Sequence, residues 1–216
     1  MFENKKVTVV GSGISGIAAA KLLLHKNAIV TLYDGNEALD KEKVLERIGA
    51  EIPIVCGEFT KELAAQTELM VLSPGVPTDL PFILALKEQG TPVWGEIELA
   101  YKIAGGKFIG ITGTNGKTTT TALTGEIMKQ YFNEVFVVGN IGIPYTEMAE
   151  QIGETAVTVA ELSSFQLETV QDDFMPDVSM ILNLTPDHLN RYGNCTKCGR
   201  SRHKYSSYPK RGRSQG

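Results

Sequence analysis

Lys107-Phe-Ile-Gly-Ile-Thr-Gly-Thr-Asn-Gly-Lys-Thr-Thr-Thr120 passes from an apolar run through a glycine-rich turn into a helix-compatible sequence. Strand, turn and helix in that order build a site for a nucleoside triphosphate. Glycines let backbone N–H groups crowd around phosphate oxygens, and the helix N-terminus that follows adds partial positive charge. Lys117 supplies a full positive charge, and Thr118 offers a hydroxyl to Mg2+. The spacing is a variant form. A strict phosphate loop would set a glycine at position 111, where this chain has Ile111, with its glycines at Gly110 and Gly113 instead.

On either side of this run, short apolar stretches alternate with helix-like ones. Strands are expected at 6–10, 29–33, 52–55, 69–72 and 92–93, with helices at 15–26 and 41–48. The pattern restarts with strands at 108–112, 135–138, 156–160 and 178–183 and helices at 117–130 and 145–151. Alternation at this spacing predicts an α/β chain with parallel, doubly wound sheets. A Rossmann-like domain is expected over 1–104, then an incomplete P-loop-type α/β domain over 105–194, with Gly105-Gly106 as a hinge. Residues 195–216 carry seven Lys or Arg and no acid, and this polar segment is expected to be disordered.

The 42% hydrophobic content of the 216 residues suffices for ordinary globular cores. No apolar run approaches the roughly 20 residues of a membrane span, so a cytoplasmic protein without membrane insertion is expected. Cys56, Cys195 and Cys198 are too few for a disulfide framework. Residues 1–194 hold 14 basic and 25 acidic side chains, a net charge of −11 that argues against nucleic acid as a partner.

Several constellations fall where strands end. Gly11-Ser-Gly13-Ile-Ser-Gly16 follows the first strand and opens a helix, and Asp34 closes the second strand. This is the dinucleotide fingerprint. It admits NAD or NADP, another nucleotide such as a UDP-sugar, or a purely structural turn. Ser73-Pro-Gly75 follows an apolar strand, as a ligand-facing loop or a simple turn. Glu161 ends another, where it would hold Mg2+ at a γ-phosphate or cap a helix. Asn140 lies in a Gly-flanked turn, and Asp187-His188 follows the last strand, suited to a cation, a phosphate or a structural role. Cys195, Cys198 and His203 lack a fourth ligand for structural zinc.

Taken together, Gly113-Thr-Asn-Gly-Lys-Thr118, Gly139-Asn-Ile-Gly142, Glu161-Leu-Ser-Ser-Phe-Gln-Leu-Glu168, Asn183-Leu-Thr-Pro-Asp-His188 and Arg191-Tyr192 resemble the Mur ligase family, and most of all its D-glutamate-adding branch. The resemblance covers residues 1–194. It implies ATP-driven amide synthesis on UDP-N-acetylmuramoyl-L-alanine with D-glutamate, through an acyl phosphate, in the cytoplasmic stage of peptidoglycan assembly. The implied catalytic residues are Lys117, Glu161 and His188, and the implied ATP contacts are Gly113, Thr114, Asn115, Gly116, Lys117, Thr118 and Thr119. Thr118 and Glu161 would hold one Mg2+ and His188 another. Ile14, Ser15, Asp34 and Gly75 would seat the UDP group, Asn140 and His188 would contact the substrate, and Ser163 would lie beside cation and phosphate. A monomer is expected.

The family carries further sequence beyond this point, including a lysine on the second metal, where this chain reads Arg202, His203 and Lys204. The change of composition at Asn194 reads as a shifted frame with an early stop, and such a truncated chain is expected to be inactive. The alternatives are a noncatalytic UDP-sugar-binding fragment and an NAD(P)-binding Rossmann protein. A folylpolyglutamate-type ligase would share the phosphate loop but not the first domain.

Overall fold

A computed structural model describes residues 1–140 and 142–185. The chain divides into two compact units, Met1–Leu99 and Ala100–Gly216. The first unit contains β1 (Lys6–Val10), α1 (Ile14–His25), β2 (Ile29–Asp34), α2 (Lys41–Ile48), β3 (Ile54–Cys56), α3 (Lys61–Gln66), β4 (Leu69–Leu72), α4 (Pro81–Glu88) and β5 (Val93–Gly95). Its five strands are all parallel, in the order β3-β2-β1-β4-β5. β1 is central, and the chain winds outward from it in both directions. The strand order therefore reverses between β1 and β4, which opens a crevice beyond their C-terminal ends. β4 is buried along its whole length, as a parallel strand covered on both faces should be.

The helices of this unit follow local chemistry. Asp40 caps α2 by accepting from the Lys43 N–H at 3.1 Å, and Gly49 ends it in the left-handed region at φ 78°. Thr60 caps α3 in the same way through the Leu63 N–H. Pro81 stands at the first position of α4, where its missing N–H costs nothing. β3 starts at Ile54, later than the expected 52, because Pro53 has no N–H to give a ladder. Tyr33, Phe59 and Phe82 pack as an aromatic group, with the two phenylalanine rings stacked at 4.4 Å.

The helix α5 (Glu96–Ile103) runs across the division between the units. The second unit then has β6 (Lys107–Thr112), α6 (Lys117–Met128), β7 (Val135–Gly139), α7 (Tyr145–Met148), β8 (Val157–Glu161), α8 (Ser164–Leu167) and β9 (Val178–Ile181). Its described strands form a parallel sheet in the order β7-β8-β6-β9. β6 lies between β8 and β9, and β8 is buried throughout. Gly105 and Gly106 belong to this unit, and an added Cβ on Gly106 would stand 2.3 Å from the Ala156 carbonyl oxygen.

α6 begins Lys117-Thr-Thr-Thr-Thr121, a run of β-branched residues with low helix propensity. Its formation rests on packing. The helix lies on β6, β7 and β8, and at Gly125 it comes so close to β7 that a Cβ would meet Val137 Cγ2 at 2.5 Å.

The closest approach in the first unit is at Gly16, where an added Cβ would stand 1.9 Å from the Gly11 carbonyl oxygen. Gly16→Ala is expected to destabilise that unit by about 2 kcal/mol, the cost of overpacking a tight site. The single tryptophan, Trp94, lies in β5 and reports on this unit, so urea unfolding followed by its fluorescence measures the loss.

Candidate functional site

In the first unit the chain leaves β1 through Gly11, whose φ of 100° suits only glycine. The Gly11 N–H donates to the Tyr33 carbonyl at 2.8 Å, and the Ser73 N–H donates to the Val10 carbonyl at 3.0 Å. Ser73 thus borders the same turn from the end of β4, and its hydroxyl donates to the Gly11 carbonyl at 3.4 Å. α1 starts at Ile14 with no side-chain cap, which leaves its first N–H groups without a side-chain acceptor. Ile14 is 67% exposed there, Ser15 is partly buried, and Gly75 is exposed beyond β4.

Asp34 at the end of β2 is tied into this turn. Its Oδ2 accepts from the Ser12 N–H at 2.9 Å and the Ser12 hydroxyl at 2.6 Å, and its Oδ1 accepts from the Asn36 N–H at 3.0 Å. Partial burial pushes the carboxyl up. The Ser12 hydroxyl and the Asn36 and Ser12 amides outweigh that and hold it below its ordinary value of 3.8. Asp34 therefore braces the glycine turn as an anion, with Oδ1 the less occupied oxygen.

In the second unit the phosphate loop leaves β6 at Gly113, turns at Gly116 in the left-handed region at φ 82°, and enters α6 without a side-chain cap. Gly113 lies close under the exit of β9, where an added Cβ would stand 3.1 Å from Leu182 Cβ. Lys117 Nζ donates to the Thr114 carbonyl at 2.9 Å, so its ammonium lies over the loop. Thr118 and Thr119 are exposed in the first turn of α6.

Glu161 ends β8 level with Ile111 of β6 and Gly139 of β7. It is 2% exposed, and Asn140 Nδ2 donates to its Oε1 at 3.3 Å. A buried carboxylate with one long hydrogen bond calls for a cation. Its oxygens, with the Thr118 hydroxyl, are hard donors that suit Mg2+, an ion that keeps few protein ligands and takes phosphate oxygens besides. Among the described residues no three His, Cys, Asp or Glu side chains gather to hold a metal.

Asn140 is placed by its own N–H, which donates to the Glu161 carbonyl at 2.9 Å. Ser163 caps α8: its hydroxyl accepts from the Gln166 N–H at 3.2 Å, while its N–H donates to Gln166 Oε1 at 2.9 Å. His188, Arg191, Tyr192, Cys195, Cys198, His203 and the basic tail lie outside the described residues.

The structure adds one residue to which the sequence reading gave no role of its own. Asn183, just past β9, is bonded to the phosphate loop through both ends of its carboxamide. The signal was a polar residue directly after an apolar strand, at the same sheet edge as the loop.

The sequence profile of the Mur ligase MurD-like N-terminal domain matches residues 5–95, and that of the Mur ligase middle domain matches residues 111–204. The chain belongs to the Mur ligase family. It is 53% identical to the UDP-N-acetylmuramoylalanine--D-glutamate ligase of Lachnoclostridium phytofermentans and 56% identical to that of Lachnospira eligens, over 88% of this chain in each case. It spans 42% of the length of each of these curated relatives. Among solved Mur ligases, UDP-N-acetylmuramate-alanine ligase MurC of Thermotoga maritima is 25% identical with a TM-score of 0.54, covering 94% of this chain and 47% of that one. The fold also matches a UDP-N-acetylmuramate:L-alanyl-gamma-D-glutamyl-meso-diaminopimelate ligase from Neisseria meningitides. There the TM-score is 0.57 at 18% identity, over 98% of this chain and 72% of that one. Among the described residues no helix is long and apolar enough to cross a membrane.

The lowered value of Asp34 gives this Mur ligase chain a pH signature. A group whose folded value lies below its unfolded one stabilises the fold above the unfolded value and loses that contribution as pH falls through the folded one. Asp34→Asn is therefore expected to be less stable than the native chain above pH 3.8, with the gap closing at more acid pH. Urea midpoints compared between strongly acid and neutral pH check this, and a gap that stays constant with pH would contradict it.

Proposed function

We propose that this chain carries the nucleotide-sugar-binding and ATP-binding portions of an ATP-dependent ligase that joins D-glutamate to UDP-N-acetylmuramoyl-L-alanine in peptidoglycan biosynthesis. The observation that carries the reading is the buried Glu161 carboxylate, one strand away from a phosphate loop that ends in Lys117 and Thr118. Its substrate is suggested by the similarity to curated D-glutamate ligases. The UDP-linked substrate and ATP point to the cytoplasm, without membrane or nucleic acid.

A carboxylate does not react with an amine until one of its oxygens becomes a leaving group. In the first step a carboxylate oxygen of the muramoyl-L-alanine attacks the γ-phosphorus, the bond to the β,γ-bridging oxygen breaks, and ADP leaves. The D-glutamate amine then attacks the acyl carbon, the bond to the phosphate oxygen breaks, and the nitrogen loses a proton as the amide forms. Little covalent work falls to the protein, so positioning and charge neutralisation dominate. Lys117 and the N–H groups at the start of α6 take the phosphates, with Gly113, Thr114, Asn115, Gly116, Thr118 and Thr119 shaping the loop around them. Thr118 and Glu161 would hold one Mg2+ and His188 a second, ions that would neutralise charge developing on the transferred group. Asn140 would contact the substrate, and Ser163 would lie beside cation and phosphate. Ile14, Ser15, Asp34 and Gly75 seat the UDP group.

The glycine turn bordered by Ser73 and the uncapped start of α1 favour a second reading, a UDP-sugar-binding protein. Calorimetric titration separates the possibilities. UDP-N-acetylmuramoyl-L-alanine is expected to bind and NAD is not, whereas NAD binding would overturn the assignment. Lys117→Met is expected to weaken ATP binding by at least about tenfold, as loss of a charge-assisted contact should, and to leave the UDP ligand unaffected.

A further inference from the structure

Asn183 stands one residue beyond Leu182, whose N–H continues the β9 pairing by donating to the Thr112 carbonyl at 2.9 Å. At that point the chain turns over the phosphate loop. Asn183 Oδ1 accepts from the Thr114 N–H at 3.1 Å and from the Asn115 N–H at 2.9 Å, and Asn183 Nδ2 donates to the Asn115 carbonyl at 2.8 Å. The Thr114 N–H also points at the Asn183 carbonyl, at 3.2 Å. Thr185 extends the seam, since its N–H donates to Thr114 Oγ1 and its carbonyl accepts from it, both at 3.1 Å.

These bonds have a consequence for ligand binding. A backbone N–H gives one good hydrogen bond, and those of Thr114 and Asn115 are already committed to a carboxamide. The donors left to a phosphate are those of the turn at Gly116 and of the first turn of α6, which has no side-chain cap. We propose that Asn183 is the positioning residue of the phosphate loop. Its carboxamide fixes the front of the loop so that the amides at the start of α6, with Lys117, form the polyphosphate cradle. This rests on the loop binding ATP, as proposed above.

The carboxamide is suited to the task because it accepts and donates at once. An aspartate in its place would keep the acceptor for both amides, lose the bond to the Asn115 carbonyl, and put a negative charge beside a polyanion. Alanine would remove all three bonds, leaving the Asn115 amide without its acceptor and the Thr114 amide with only the residue-183 backbone carbonyl at 3.2 Å.

The test uses the full chain, with Asn183→Ala and Asn183→Asp. Hydrogen exchange is read at the Thr114 and Asn115 amides, and affinity is measured for ATP, inorganic tripolyphosphate and UDP-N-acetylmuramoyl-L-alanine. Asn183→Ala is expected to lose protection at the Asn115 amide, with a smaller loss at the Thr114 amide, and to bind ATP and tripolyphosphate about tenfold more weakly by the same factor. Asn183→Asp is expected to keep the protection and still lose affinity for both anions, a loss that shrinks with added salt as screening demands. Affinity for the UDP ligand and protection of the β8 amides should stay native in both variants, which separates positioning from unfolding. Native ATP affinity in Asn183→Ala would overturn the inference and leave the ATP reading intact. Failure of the unaltered chain to bind either anion would overturn both.

Discussion

The second unit depends on one constraint, the parallel pairing of β6 with β8 on one side and β9 on the other. Parallel strands in register bring their carboxyl ends level. The loop after β6, the carboxylate ending β8 and the carboxamide following β9 therefore meet at one edge, although they come from distant parts of the chain. No contact local in sequence could gather them. The pairing is secured by burial of β8 along its whole length and by the cluster of Ile109, Ile111, Val157 and Val159. That apolar packing provides a rigid base for groups whose charges repel or need partners.

The first unit solves a similar problem with different means. There the critical approach is between backbones, since Gly16 brings α1 against the Gly11 carbonyl with no room for a side chain. Asp34 then ties the end of β2 to Ser12 inside the turn. The glycine turn is thus held from three sides, by β2, by the end of β4 through Ser73, and by its own helix. A polar ligand meeting such a turn finds donors already aimed, so little ordering is needed on binding.

Much of this was readable in the amino-acid sequence because it is written locally. The glycine spacing after β1, the Gly-Lys-Thr turn before α6 and the apolar runs of β4 and β8 each declare their element within a few residues. The expected α/β architecture follows from them. Other features were not local. α3, α4 and α5 run for only 6, 8 and 8 residues, too short to stand out from the loops around them, and α4 leans on Pro81 for its start. β9 stops at Ile181, short of the expected 183, because the backbone there turns toward Thr114. The part taken by Asn183 depends on partners 68 and 69 residues upstream, which no reading of neighbours could supply. Ser163 was expected beside a phosphate, and its local bond as the cap of α8 is a separate fact that its neighbour Gln166 makes legible.

The threonine run of α6 bears on how the protein is made. A helix opening with four β-branched residues and carrying Gly125 near its end has little tendency to form alone. It needs β7 and β8 beneath it, and both emerge from the ribosome after it does. The phosphate cradle is thus assembled only after β8 has been made, once the sheet has closed under the helix. A nascent chain stalled before β8 would hold the glycine-rich motif in its sequence without offering a cradle in space.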